Sequence, residues 1–325
     1  MTRIQQVLFE VESPYMGHPY FVSGHALFNA IARRVDERTR RSLCVSHGVF
    51  VPGEYGEYPE WHSQDGYAGV LGSSLPAVEA YEDLFVYRDP AQRWLLDSRA
   101  RDVHNTHDLQ SHGGRTAFAS KCHFGRPPET RNHKRSVQWY LQCYLHAGCD
   151  DDEVLPVADD VLAGLRVGGG RNYGLGEVSV ADSQLVDLDA LAYDRVTDTG
   201  DEGYVLELVS PYVLASEYPG AEAQSIPWWW DSSAASSMLE TRGGSSDGLR
   251  RREERLVADG DLHELACVDH GQVVGYAGRD AVSTAKNGVL RVGTHSRYGF
   301  GELRVRPADV DRVPGRSVEG AGGEV

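Results

Sequence analysis

Apolar positions along this chain fall into short alternating runs that end in turns, and the runs recur. Residues 7–16, VLFEVESPYM, alternate apolar and polar side chains and then enter Ser-Pro-Tyr, which predicts a strand closed by a turn. Residues 205–214, VLELVSPYVL, repeat that arrangement. In HALFNAIARRVDERTRRSL, residues 25–43, Leu27, Ile31 and Val35 recur at spacing four beside Ala26 and Ala30, the signature of an amphipathic helix. Its other face carries Arg33, Arg34, Arg38, Arg40 and Arg41, a set that suits either a solvated face or a phosphate-facing groove. A second helix is predicted over about 154–165, and alternating strands, GEVSV and GELRV, follow two glycine-rich segments.

Those glycine-rich segments are copies of each other. RVGGGRNYGLGEV at 166–178 aligns without a gap with RVGTHSRYGFGEL at 291–303, a constant offset of 125. With the two Ser-Pro-Tyr strands, the repeat divides the chain into related units, each opening on a strand and closing on a glycine loop plus strand. The first unit is expected over 1–182, with an insertion over about 48–135 where Gly, Pro, His and Tyr are frequent. An acidic connection is expected over 183–203, the second unit over 204–308, and a disordered tail over 309–325.

Composition narrows the chemistry. No apolar run approaches the roughly 20 residues of a membrane span, no basic and apolar leader opens the chain, and five cysteines make a sparse, odd set. These features predict a soluble, cytoplasmic protein with reduced thiols. The formal charge of −16 opposes nucleic-acid binding by a long-range field. Lysine is confined to Lys121, Lys134 and Lys286, and such a Lys-poor, acidic surface resembles that of halophilic proteins. Screening shortens to about 3 Å at 1 M salt, so distant carboxylates hardly oppose a local basic site.

Within the first loop, Gly168, Gly169, Gly170, Gly174 and Gly176 remove side chains that would keep an anion from the backbone amides. Arg171 adds a forked donor, Asn172 a polar side chain and Tyr173 a ring for stacking. Gly293, His295, Arg297, Tyr298, Gly299 and Gly301 are the corresponding candidates in the second loop. The competing reading is a tight turn with its tyrosine in the core. Neither loop enters a helix, so neither fits a P-loop or a dinucleotide fingerprint. A basic aromatic stretch from Lys121 through Lys134 and Arg135 to Trp139 and Tyr140 either tracks phosphates or begins a core strand. PWWWD at 227–231 carries more tryptophans than one core face accepts, so at least one is expected at the surface. His104, His107 and His112 cluster near Asp102 and Asp108, and Cys122, His123, Cys143, His146 and Cys149 form a second grouping. Neither has paired metal-ligand spacing, and no metal or cofactor is expected.

GGGRNYGLGEV and GTHSRYGFGEL resemble the terminal glycine loop of the RAMP superfamily of CRISPR-associated proteins. YFVSGHALFNAIARR is similar to the passage from first strand to first helix in that family. The stretch from TAFASKCHF to the second helix resembles the middle of its effector subunits. The resemblance covers most of 5–182 and, more weakly, 203–307. It implies an α+β fold of tandem ferredoxin-like, RNA-recognition-motif-like domains, each ending in a glycine-rich loop and strand. It also implies CRISPR RNA as ligand, with other effector subunits and target nucleic acid as partners. Family members that cut RNA place a His, often with a Tyr, near the first helix as acid and base. Here Phe28 and Cys44 stand where those residues are wanted, which favours a non-catalytic guide-holding subunit. The rival readings are a metal-independent repeat-processing endoribonuclease, with His18, His25 and His47 as candidates, and an assembly subunit without RNA contact. Some backbone subunits cleave target RNA with a loop aspartate, which makes Asp102 and Asp108 candidates too.

Overall fold

The computed structural model describes residues 2–17, 21–53, 55–57, 62–63, 67–70, 72–88, 116–118, 121–124, 135–148, 154–197, 203–237, 248–258 and 261–308. They form a mixed α+β protein built on antiparallel sheets. The expected tail, Lys134, His18, Asp102 and Asp108 lie outside the described residues.

The first sheet is organised around β1 (Arg3–Val11), β2 (Gly48–Gly53), β3 (Arg135–Ala147) and β4 (Glu177–Asp187), in the order β4-β1-β3-β2. Short strands Leu165–Arg166 and Phe21–Val22 extend its two ends, and Leu43–Val45 and Lys121–Phe124 also pair with β3. β1 is buried on both faces, as a central strand must be. Val7, Phe9 and Val11 meet Leu27, Phe28 and Ile31 of α1 (Gly24–Ile31), while Ile4 joins a second core with Tyr144 and Val186.

The predicted helix over 25–43 is two helices. α1 ends at Ile31, and α2 (Glu37–Ser42) begins afresh because the Asp36 carboxylate accepts the Thr39 amide at 3.0 Å. No residue of α2 is buried. The predicted second helix shrinks to α3 (Asp159–Leu162). Upstream of it the Gln5 side chain holds the Val157 backbone in both directions, at 3.0 and 2.8 Å, in place of helical hydrogen bonds.

In the second unit β5 (Tyr204–Leu208), β7 (Trp230–Ser237), β10 (Gln272–Tyr276) and β11 (Leu303–Pro307) run in the order β11-β5-β10-β7. A separate sheet carries β6 (Tyr212–Ser216), β8 (Arg251–Ala258) and β9 (Asp261–Val268). α5 (Ala281–Leu290) covers β11, with Ala285 and Val289 in the core. No helix joins β5 to β7; β6 occupies that stretch.

Two segments read from composition as peripheral prove central. Within 48–135, β2 is a strand of the first sheet, and Tyr81, Leu84 and Phe85 are buried in the second core. Within 183–203, β4 runs on to Asp187, and Leu188, Tyr193 and Val196, the last in α4 (Asp194–Thr197), join that same core. Pairing partners remote in sequence decided both, and local polarity does not report them. The segment 79–88 straps the sheets together: the Tyr81 amide donates to the Ala192 carbonyl, the Ala192 amide donates to the Glu79 carbonyl, and the Tyr81 hydroxyl accepts the Val305 amide at 3.0 Å.

Candidate functional site

Ser-Pro-Tyr and the glycine loop, separate motifs in the sequence, are two halves of one docking device. In the first unit the Gly176 amide donates to the Pro14 carbonyl at 2.9 Å and the Glu177 amide to the Ser13 hydroxyl at 2.8 Å. In the second, Gly301 donates to Pro211 at 2.9 Å and Glu302 to Ser210 at 2.8 Å. A Cβ at Gly176 or Gly301 would come within 1.9 Å of the Val167 or Val292 carbonyl oxygen. Only glycine permits that approach, and both residues have positive φ, 73° and 78°. Tyr15 and Tyr212 close the device, their rings pressed against Gly168 and Gly293. A single helical turn follows in each, Arg171–Tyr173 and Ser296–Tyr298. His295 adopts the left-handed φ, 62°, that Gly170 adopts at 69°.

Alike at their docking glycines, the loops differ in what they meet. Tyr173 is 89% exposed, Asn172 is exposed and Arg171 half-buried. The amides of Arg171 and Asn172 open a helical turn, where an amide has no intrahelical acceptor. Behind them Arg166 and Glu177 form a surface ion pair at 2.9 Å.

The second loop is clamped onto the first unit. Tyr298 stands edge-on to His25 and Phe28, with ring centroids 5.1 and 5.2 Å away. The Arg297 guanidinium lies 4.6 Å above Phe28 and donates to the carbonyls of Leu43, at 3.1 Å, and Arg40. Gly24 lies against the Tyr298 carbonyl and Gly299 against the His47 ring. Glu302, the counterpart of Glu177, is buried and held by both nitrogens of the Arg88 fork at 2.7 and 2.5 Å. Arg88 also donates to the carbonyl of His47 and the side chain of Gln142. Arg297 and Tyr298, read as phosphate and base contacts, are therefore engaged by α1 and α2, because docking of the units covers this copy of the loop.

A seam of histidines runs beside that clasp. His25, 9% exposed, lies 3.1 Å through Nε2 from the Asn29 amide. His295 Nε2 is 2.8 Å from the Ser216 hydroxyl, and Tyr218 stands edge-on to both His295 and His263. Burial pushes His25 down to about 4, with the charge of His295 adding to the effect. Burial also lowers His295, followed by the charge of His263. Both imidazoles are neutral at neutral pH, able to take a proton. His47 is a structural peg: its Nδ1 accepts the Gly24 amide at 2.8 Å, and its ring stacks on Phe21 at 5.1 Å and meets the edge of Phe300.

Other expected contacts have different placements. Arg34 caps the end of α3, donating to the carbonyls of Val161, Ala163 and Gly164, whereas Arg33 is exposed. Arg135 opens β3, with its side chain outside the described residues. Trp139 is 1% exposed and belongs to the first core. Trp228 is 76% exposed while Trp230 is buried, so the tryptophan run does place one ring at the surface. Arg88 and His263 carried no sequence signal, and Glu302 was marked only by its match to Glu177 in the repeat, since each gains its role from a partner on another element. No helix among the described residues is long and apolar enough to cross a membrane, and no grouping of three or more His, Cys, Asp or Glu among them could hold a metal ion.

No family model and no curated protein matches the chain. Among solved structures, one described as "CRISPR associated protein Cas6" aligns over 93% of this chain and 98% of its own, at 10% identity and a TM-score of 0.34.

Proposed function

We propose that this protein is an RNA-binding member of the RAMP kind, holding CRISPR RNA within an effector ribonucleoprotein through its open glycine loop. The observation that carries the reading is the 89% exposure of Tyr173, whose counterpart Tyr298 is half-buried against His25 and Phe28. The same backbone device serves as a clasp at 293–301 and is left bare, with a ring and a guanidinium at its tip, at 168–176. Strand order supports it as well. In each main sheet the first strand lies between the third and the last, with the second outside the third, the order of a ferredoxin-like unit. Backbone amides, one arginine and a stacking ring suit a chain of net charge −16, because none of them needs a long-range field.

Fluorescence anisotropy with single-stranded repeat RNA tests the reading. Tyr173→Ala is expected to weaken binding by about 1–3 kcal/mol, roughly the contribution of one base stack, with thermal stability unchanged. Wild-type protein blind to the RNA, or a Tyr173→Ala protein of undiminished affinity, would sink it.

The seam favours a second reading, the metal-independent endoribonuclease. His25 and His295, both held neutral, approach Tyr298 with ring centroids 5.1 and 6.1 Å away, so in this reading one imidazole takes the 2′-hydroxyl proton and water protonates the leaving 5′-oxygen. Cleavage of repeat RNA in EDTA, abolished by His25→Ala and by His295→Ala, would establish it. Intact RNA bound by wild-type protein would leave the first reading alone.

A further inference from the structure

Arg291 is where the second unit departs furthest from the first. The residue after it is tied as in the first unit: the Val292 amide donates to the Gly301 carbonyl at 2.9 Å, as the Val167 amide does to the Gly176 carbonyl at 2.9 Å. Arg291 therefore starts beside Glu302 as Arg166 starts beside Glu177. Arg166 lies at the surface and pairs with its glutamate at 2.9 Å. Arg291 is 5% exposed, and both carboxylate oxygens of Glu302 are taken by the fork of Arg88. Two buried guanidiniums thus stand against one carboxylate.

No group among the described residues supplies the second negative charge. Arg291 Nε donates to the Ser296 carbonyl at 2.8 Å, and Nη2 meets His146 Nδ1 at 2.7 Å. The carbonyl is uncharged, and burial, then the charge of Arg291, holds His146 neutral. Burial pushes the Cys143 thiol up to about 12, and the Cys44 thiol keeps its proton, donating it to the Ser42 carbonyl. Nη1 of Arg291 is buried with no hydrogen-bond partner. Burial draws the guanidinium down only to about 10, so it remains a cation at neutral pH.

The backbone holds that cation in place at a cost. Arg291 ends α5 with φ 70° and ψ 137°, a left-handed conformation that favours glycine and that a residue with a Cβ keeps only where its surroundings impose it. Glycine, the usual residue at such a helix end, would remove both the strain and the buried charge. The chain instead aims a guanidinium from the second unit at β3 of the first.

We propose that Arg291 Nη1 anchors a buried site for a small monovalent anion of the chloride class, which neutralises the second guanidinium and fastens the second loop to the first unit. One surplus positive charge calls for one negative charge. A divalent oxyanion would exceed it and would give up far more hydration on burial. The anion is taken up as the units dock. No step involves RNA, so this site stands or falls apart from the RNA-holding reading.

Urea unfolding of the intact chain tests the site, with chloride exchanged for bulky gluconate at constant ionic strength. An anion bound only by the folded state lowers the unfolding constant about tenfold for each tenfold rise in chloride above its dissociation constant. Arg291→Met is expected to erase that dependence. In crystals of the native protein soaked in bromide, an anomalous peak is expected within hydrogen-bonding reach of Nη1. A wild-type unfolding constant indifferent to chloride overturns the proposal, as does a folded Arg291→Met protein with the wild-type dependence. If that variant does not fold, the bromide crystals decide: water at Nη1 without anomalous signal, or bromide confined to the surface, overturns it.

Discussion

Residues 166–178 and 291–303 show how far one backbone device can diverge in use. Both loops dock on a Ser-Pro-Tyr turn through the same hydrogen bonds and the same intolerance of a side chain at the final glycine. What separates them is the surroundings. The first points its turn outward, and its Arg166–Glu177 pair sits half in water. The second is covered by α1, and its acid is shared with an arginine from 214 residues away. A conserved shape therefore does not fix a conserved role; whether the partner surface is water or protein decides whether a loop grips a ligand or a neighbouring unit.

The sharpest test of that contrast compares equivalent acids. Glu302→Ala leaves Arg88 buried without its partner and is expected to cost about 3–5 kcal/mol in urea unfolding. Glu177→Ala removes the matching half-exposed pair and should cost about 0–1 kcal/mol. Equal losses would mean that the two environments do not differ as described.

Glycines separate the loops by a smaller margin. Gly174 and Gly299 both have positive φ, 83° and 95°, but a Cβ at Gly174 meets nothing within 4 Å, whereas one at Gly299 would fall 2.3 Å from His47 Nδ1. Gly174→Ala should cost about 1–2 kcal/mol, the left-handed penalty alone. Gly299→Ala should cost more and loosen the clasp, read as faster hydrogen exchange at Gly24, whose amide is bound to His47. Matching unfolding midpoints for the two variants would contradict the clasp.

Acid probes the seam beside the second loop. His25 has its ordinary value of 6.5 in the unfolded chain and about 4 when folded. Between those values the unfolded state binds a proton that the folded state refuses, so stability falls as pH drops through that window and is unaffected by His25 above it. His25→Asn should flatten the decline in melting temperature between pH 6.5 and 4 relative to wild type. A parallel decline would show that His25 is not held neutral.

Much of this arrangement is legible in the residues. Alternation marked β1, β5 and the strands after each glycine loop, and the offset of 125 placed the repeat in register. Helices were read less well: periodicity at Leu27, Ile31 and Val35 ran through the break that the Asp36 cap imposes. The strap at 79–88 and the extension of β4 were hidden because their stability comes from partners over a hundred residues away.

By itself the sequence determined the repeated motif, the glycine positions and the local turns, because those depend on side-chain volume and backbone freedom within a few residues. Tertiary structure alone decided that Tyr173 stays in water while Tyr298 is enclosed by His25 and Phe28. It also decided that Glu302 serves Arg88 and leaves Arg291 without a carboxylate of its own. Burial and charge pairing are properties of what lies across the seam, and no local pattern encodes them.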